Sequence, residues 1–147
     1  MKSIFDPTQN QAMIARIANL KPESPAAWGK MNATQMCRHT NAAILVAFGE
    51  KDIKVNFLFR FLGRMMKNKV FNSDFKKNSP TAKEFIFTDN YDFEIARDEL
   101  IKNYGRFAQG QAAITISNHP FWGELSFEDW NKLMWNHVDH HLRQFNV

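Results

Sequence analysis

The side chains best equipped for chemistry in this sequence are its histidines: His39, His119, His137, His140 and His141. His137 and His141 stand four residues apart. On an α-helix that spacing sets one ring above the other, about 40° apart around the axis. The same arc carries Trp130, Met134, Val138 and Phe145, the apolar face by which such a helix enters a core. His39 lies in an earlier helical stretch among Met36, Ala43, Val46 and Ala47, where two alanines allow close approach of a neighbouring helix. All three rings are therefore expected to face inward. A buried imidazole is costly unless its nitrogens find partners, and one divalent cation satisfies a nitrogen of each ring. Two histidines from one helix and a third from a facing helix make a three-nitrogen site with positions open for water or substrate. Nitrogen ligands suit zinc, nickel, copper or iron better than calcium or magnesium, and zinc or nickel is the first expectation. Isolated core histidines bonded to carbonyls are the bland alternative, which explains one inward His more readily than three.

Other residues are candidates around this centre. His140 diverges from His141 by about 100° and reads as a group at the pocket rim or behind a ligand, with acid–base work open to it, or as an exposed residue at the edge of the helix face. His119, in a loop and followed by Pro120, is a candidate fourth ligand or acid–base group, or a helix-end cap. Gln144 lies about one turn beyond His141, and Gln35 one turn before His39, so either could orient a ligand or substrate. Trp28 and Trp122 are candidates for the pocket mouth, with core packing the common alternative for both. Cys37 points about 160° away from His39 on its helix, which argues against a Cys–His ligand pair. The residue after His137 is Val138, so the H-E-x-x-H protease pattern is absent, and no G-x-S-x-G, Walker or Rossmann pattern occurs.

The elements that must carry these residues read as helices. One is expected from Pro7 to Leu20, with Asp6 as N-cap. A second runs from after Asn32 to near Gly49, a third over Val55 to Val70, and a fourth from Tyr91 to Ala108 behind Asp89 or Asn90. The fifth runs from Ser126 to Phe145, opened by a Ser126–Asp129 capping spacing. The stretch 112–117 reads as an extended connector without a strand partner. The chain thus reads as a single all-α domain over residues 1–147, a four-helix bundle with one additional helix. Its 147 residues, 44% hydrophobic and 23% charged, exclude disorder and suffice for a core without staples, and the single cysteine excludes a disulfide scaffold. The N-terminus lacks the apolar run of a signal peptide, and no apolar run is long enough to span a bilayer, so a cytoplasmic protein without membrane insertion is expected.

Residues 51–77 combine basic and apolar character, with eight Lys or Arg against two Asp. Arg60, Arg64 and Lys67 form a narrow ridge on the third helix, and apolar residues cover more than half of its circumference. Such a helix is expected to close one side of the bundle or to pack in a homodimer. An interfacial membrane helix or a basic docking surface is the functional alternative. The charge excess is small and no reader motif occurs, so nucleic acid is not expected as a partner.

The ending HVDHHLRQF, with His39 on an earlier helix, resembles the DinB-like metal-binding superfamily of bacterial four-helix bundles. The segments WGKMNATQMCRH (28–39) and HPFWGELS (119–126), with the HHLRQF ending, are similar to one branch of it of undefined function. The resemblance implies up-down-down-up topology with a long crossover, for which Gly49 to Asn90 is the candidate and the third helix an insertion. It implies that the metal ligands are His39, His137 and His141. Better-characterised relatives include S-transferases and isomerases that use low-molecular-weight thiols, the metal activating the thiol as thiolate. The expectation is a metal-dependent enzyme acting on a small-molecule substrate, a thiol S-transferase first and a hydrolase using metal-bound hydroxide second. A non-enzymatic binding protein working through residues 55–70, with a structural metal or none, is the alternative.

Overall fold

The computed structural model describes residues 2–147. Five α-helices account for half of the described residues: α1 (Pro7–Ala18), α2 (Ala33–Ala47), α3 (Phe57–Phe71), α4 (Phe93–Gly105) and α5 (Phe127–Gln144). Three single turns of 3-10 helix and one two-stranded antiparallel ribbon, β1 (Asn118–His119) with β2 (Gly123–Glu124), complete the regular structure of the described residues. The all-α expectation holds.

Local chemistry sets the helix starts. The Asp6 carboxylate accepts from the Gln9 amide at 2.9 Å, with Pro7 in the first turn. The α2 and α5 starts are both closed by reciprocal capping boxes, Asn32 with Gln35 and Ser126 with Asp129. The start of α4 differs from expectation. Asp92 rather than Asp89 or Asn90 is the cap, its carboxylate accepting from Ile95 N at 2.9 Å. Asp89 is engaged instead by the Arg38 guanidinium of α2 at 2.6 Å. That helix also ends earlier than expected, at Gly105, where the chain tightens into a 3-10 turn over Arg106–Gln109.

Helix α2 packs on α4 and α5, and α1 packs on the same two, so these four helices meet in a closed ring of pairwise contacts. Met13, Ile17, Met36, Ile44, Leu100, Tyr104, Trp130, Met134 and Leu142 fill its interior. The Trp130 indole donates to Ile116 O at 3.1 Å, and buried Asn10 donates to the carbonyls of both Ile4 and Tyr104 at 3.0 Å. Such pairing is what a buried polar group requires. At the far end, the expected Asp139–Arg143 pair of α5 forms, and Asp139 also receives Arg16 of α1 at 2.7 Å.

Two features depart from the sequence reading. The ribbon was not anticipated, because two-residue strands are too short to carry an alternating pattern. It lies just after the extended connector, at the HPFWG turn. The second is α3, which was expected to be covered. It leans on α5 and β2 and buries only Gly63 and Phe71. Phe57, Leu58, Phe59, Phe61, Leu62, Met65 and Met66 face solvent, Phe57 with 84% of its surface exposed. The contact side is set by Gly63, where a Cβ would come within 2.3 Å of Phe121 O. Only a residue without a side chain lets α3 sit this close to the turn.

Candidate metal centre

The packing of α2 on α5 brings His39, His137 and His141 together. One ligand-capable nitrogen from each ring lies within 4.8 Å of the other two. The ring centroids form a nearly even triangle: 5.1 Å for His39–His137, 4.8 Å for His39–His141 and 4.8 Å for His137–His141. The interplanar angles are 58°, 73° and 83°, so the rings stand edge to face around a common centre. His39 Nε2 and His137 Nε2 are 3.1 Å apart. Tetrahedral zinc–nitrogen bonds of about 2.0–2.1 Å imply nitrogens roughly 3.3 Å apart, so this spacing already matches a shared ion.

The outer nitrogens fix two of the tautomers. His39 Nδ1–H donates to Phe85 O at 3.1 Å, which turns its Nε2 lone pair toward the centre. His141 Nδ1–H donates to Gln144 Oε1 at 2.8 Å, and the Gln144 amide in turn donates to Trp28 O at 2.6 Å. Metal-bound histidines characteristically have such outer partners, which hold ring orientation and raise ligand basicity. His137 differs: its buried Nδ1 has no partner. A proton on His137 Nε2 donated to His39 would serve only those two rings and leave Nε2 of His141 without a protein partner, whereas an ion at the centre would engage one nitrogen of each ring; Nδ1 of His137 lacks a protein partner in either case.

Electrostatics favour neutral rings with free lone pairs. Burial pulls the His39 imidazole below its usual range, against the opposing Phe85 carbonyl. Burial pulls His137 well below it, helped by the like charges His141, His39 and His140 would carry. Burial and the facing His39 take His141 down to about 3, although Gln144 opposes this. Neutral imidazole is the ligating form. The donor set is three nitrogens with no carboxylate, which fits a borderline transition ion and not a hard oxygen-seeking one.

The other candidates distribute unevenly. His140 is buried beside the cluster, 5.1 Å from the His141 ring, 5.4 Å from Trp28 and 6.1 Å from Phe75. Trp28 thus reaches the site with its ring at His140 and its carbonyl on Gln144, and Lys77 Nζ lies 4.2 Å from the centre of that ring. Three expectations need correcting. Gln35 does not address His39: its Oε1 accepts from Asn32 N at 3.0 Å in the α2 capping box. His119 is not in the cluster. Its Nδ1 accepts from the amides of Phe121 and Trp122 at 3.0 and 3.2 Å, and its ring packs on Trp130 at 5.5 Å. It therefore organises the HPFWG turn, bonding N–H groups and not the carbonyls a helix cap would offer. Trp122 belongs to the same region, packed on Phe71 at 5.2 Å beside a cleft of about 400 Å³ lined by Arg64, Lys67, Asn118 and Glu124. Cys37 is buried in the core with its thiol pushed up to about 12, inert as a nucleophile.

Sequence reasoning missed Phe85 altogether. It contributes a carbonyl, and a carbonyl leaves no trace in residue type. Phe75, with its ring 6.1 Å from both His137 and His140, was missed for the same lack of pattern.

The fold and the cluster together define a helical protein with three histidines from two helices placed to share one cation. Over residues 3–147 the chain matches the model of the DUF1569 family, proteins of unknown function, and it belongs to that family. No curated protein and no solved structure matches it.

Proposed function

We propose that the chain is a metal-dependent enzyme in which His39, His137 and His141 hold one divalent transition ion, zinc or nickel first. One observation carries the reading: three imidazole nitrogens converge within 4.8 Å, and two of the rings are held in the tautomer that ligation requires. The closed ring of α1, α4, α2 and α5, with α3 inserted along the Gly49–Asn90 segment, supports a DinB-like four-helix bundle of up-down-down-up topology. A bound divalent ion supplies Lewis acidity that lowers the pKa of a thiol or water at its open positions.

The remaining chemistry falls to the chain's own side chains. Phe85 and Phe75 flank the cluster with apolar rings and exclude water from it. His140 adjoins His141 and hydrogen-bonds no described residue, so it is the imidazole free to hold or pass a proton at the edge of the site. Lys77 over Trp28 puts a cation at the rim, suited to an anionic group on a small-molecule substrate. Transfer of a low-molecular-weight thiol is the first reaction class, and hydrolysis the second. The test is metal analysis of untagged protein, followed by assays of thiol transfer to an electrophile and of ester hydrolysis with the loaded protein. Protein that carries no transition metal and takes none up on titration removes the reading.

A further inference from the structure

The carbonyl that aims His39 belongs to a stretch with little structure of its own. Between the ends of α3 and α4 the only regular element is the 3-10 turn Lys83–Phe85. No backbone–backbone hydrogen bond joins residues 82–91 to the rest of the described chain. The amides of Phe85 and Ile86 bond only locally, to Ala82 O and Lys83 O. A carbonyl on such a segment stays in place only as firmly as side chains hold the segment. Arg38 supplies that hold. It neighbours His39 on α2, and its guanidinium meets the residues that follow Phe85. The guanidinium carbon lies 4.3 Å from the ring centre of Phe87 and 4.2 Å from that of Tyr91, and Nη1 bonds the Asp89 carboxylate at 2.6 Å. Three alternate residues of the segment thus close on one cation. A planar guanidinium stacks on aromatic rings while it bonds a carboxylate, which a lysine ammonium does poorly. Asp89 is 61% exposed, so the ion pair alone would hold little and the ring contacts matter more. The other polar ties run elsewhere: Lys54 N donates to Glu84 at 3.3 Å, and the Tyr91 hydroxyl donates to Glu99 of α4 at 3.2 Å.

We infer that Arg38 is a positioning residue for the histidine cluster: by clamping Phe87, Asp89 and Tyr91 onto α2, it holds the Phe85 carbonyl against His39 Nδ1 and so keeps His39 Nε2 bare toward the centre. Adjacent residues of one helix then divide the work. His39 offers the ligating nitrogen, and Arg38 secures the acceptor that fixes its tautomer. The consequence for metal affinity rests on the metal centre proposed above, whereas the orientation of His39 is a property of the metal-free chain as well.

The test is Arg38→Met in the full chain, with Arg106→Met as control. Arg106 has the same chemistry elsewhere: it pairs with Glu50 at 2.7 Å and lies 3.8 Å from the ring centre of Phe48, at the far end of α2 from His39. In metal-free wild type and Arg106→Met, the imidazole nitrogen chemical shifts of His39 are expected to read a single tautomer with Nδ1 protonated. In Arg38→Met the two shifts should converge as tautomers mix, and the Phe85 and Ile86 amides should exchange at least about tenfold faster. Zinc affinity in a competition titration should fall about tenfold in Arg38→Met and stay at the wild-type value in Arg106→Met. Asp89→Ala changes an exposed residue outside the helices. It should move the same readouts in the same direction by less, and it decides the matter if Arg38→Met fails to fold. Wild-type ring shifts in Arg38→Met and Asp89→Ala, or equal changes in Arg106→Met, overturn the inference. Unchanged zinc affinity of Arg38→Met, where wild type binds zinc, overturns it too. If wild type takes up no zinc, the reading of a metal centre fails by itself, and the ring shifts still decide whether Arg38 orients His39.

Discussion

His39 and His137 meet nitrogen to nitrogen, Nε2 to Nε2 at 3.1 Å, across 98 residues of sequence. Two lone pairs at that distance repel unless a proton or a cation lies between them. A proton serves only two rings, while His141 completes a triangle that suits an ion. The expected outcome is uptake of one equivalent of zinc or nickel by wild type in calorimetric titration. His39→Ala, His137→Ala and His141→Ala should each abolish stoichiometric uptake while keeping the helical circular dichroism of a folded protein. If the alanine variants bind metal as wild type does, the cluster is not the site; if they unfold, the metal is structural.

The two glutamines should separate cleanly. Gln144 holds the outer nitrogen of His141, so Gln144→Leu is expected to weaken metal affinity by about 10–100-fold. Gln35 serves the N-terminus of α2, so Gln35→Leu should leave affinity unchanged and cost about 1 kcal/mol of stability. Titration of metal and urea denaturation of the same two proteins read both effects.

His119 is expected to make the fold acid-sensitive. Burial pushes its pKa down to about 4 from an ordinary 6.5, and protonation of Nδ1 would break its bonds from Phe121 and Trp122. The unfolded chain therefore binds the proton more readily. The stability from a neutral His119 is complete above the unfolded pKa and is lost as pH falls from 6.5 to about 4, by up to about 3 kcal/mol. His119→Asn retains an acceptor for the two amides without a titrating group. Its urea midpoint should fall less than that of wild type between neutral pH and the acid end of this window.

Gly63→Ala tests how α3 is seated. In an exposed helix interior this change ordinarily stabilises by up to about 1 kcal/mol. Here the added Cβ would fall 2.3 Å from Phe121 O, a backbone atom that cannot rotate away. The melting temperature is expected to drop, and amide exchange across Phe57–Phe71 should quicken as the helix lifts from the turn. A rise in melting temperature would show that the close approach is dispensable.

Sequence alone determined the helices and the inward rings, because both rest on short-range periodicity. Asp6 with Pro7, Asn32, and Ser126 with Asp129 announce helix starts through bonds that span three residues. His137 and His141 share a face by spacing, and Gln144 could be linked to His141 for the same reason. Tertiary structure decided everything that depends on partners distant along the chain. Which carbonyl aims His39 follows from where the segment carrying Phe85 crosses α2. Gln35 had two options one turn apart, and the bare α2 N-terminus took it. His119 looked reactive by type but is committed to two amides of its own turn. The exposure of α3 was also invisible, since an apolar pattern records that a face wants cover and says nothing of whether this chain provides it.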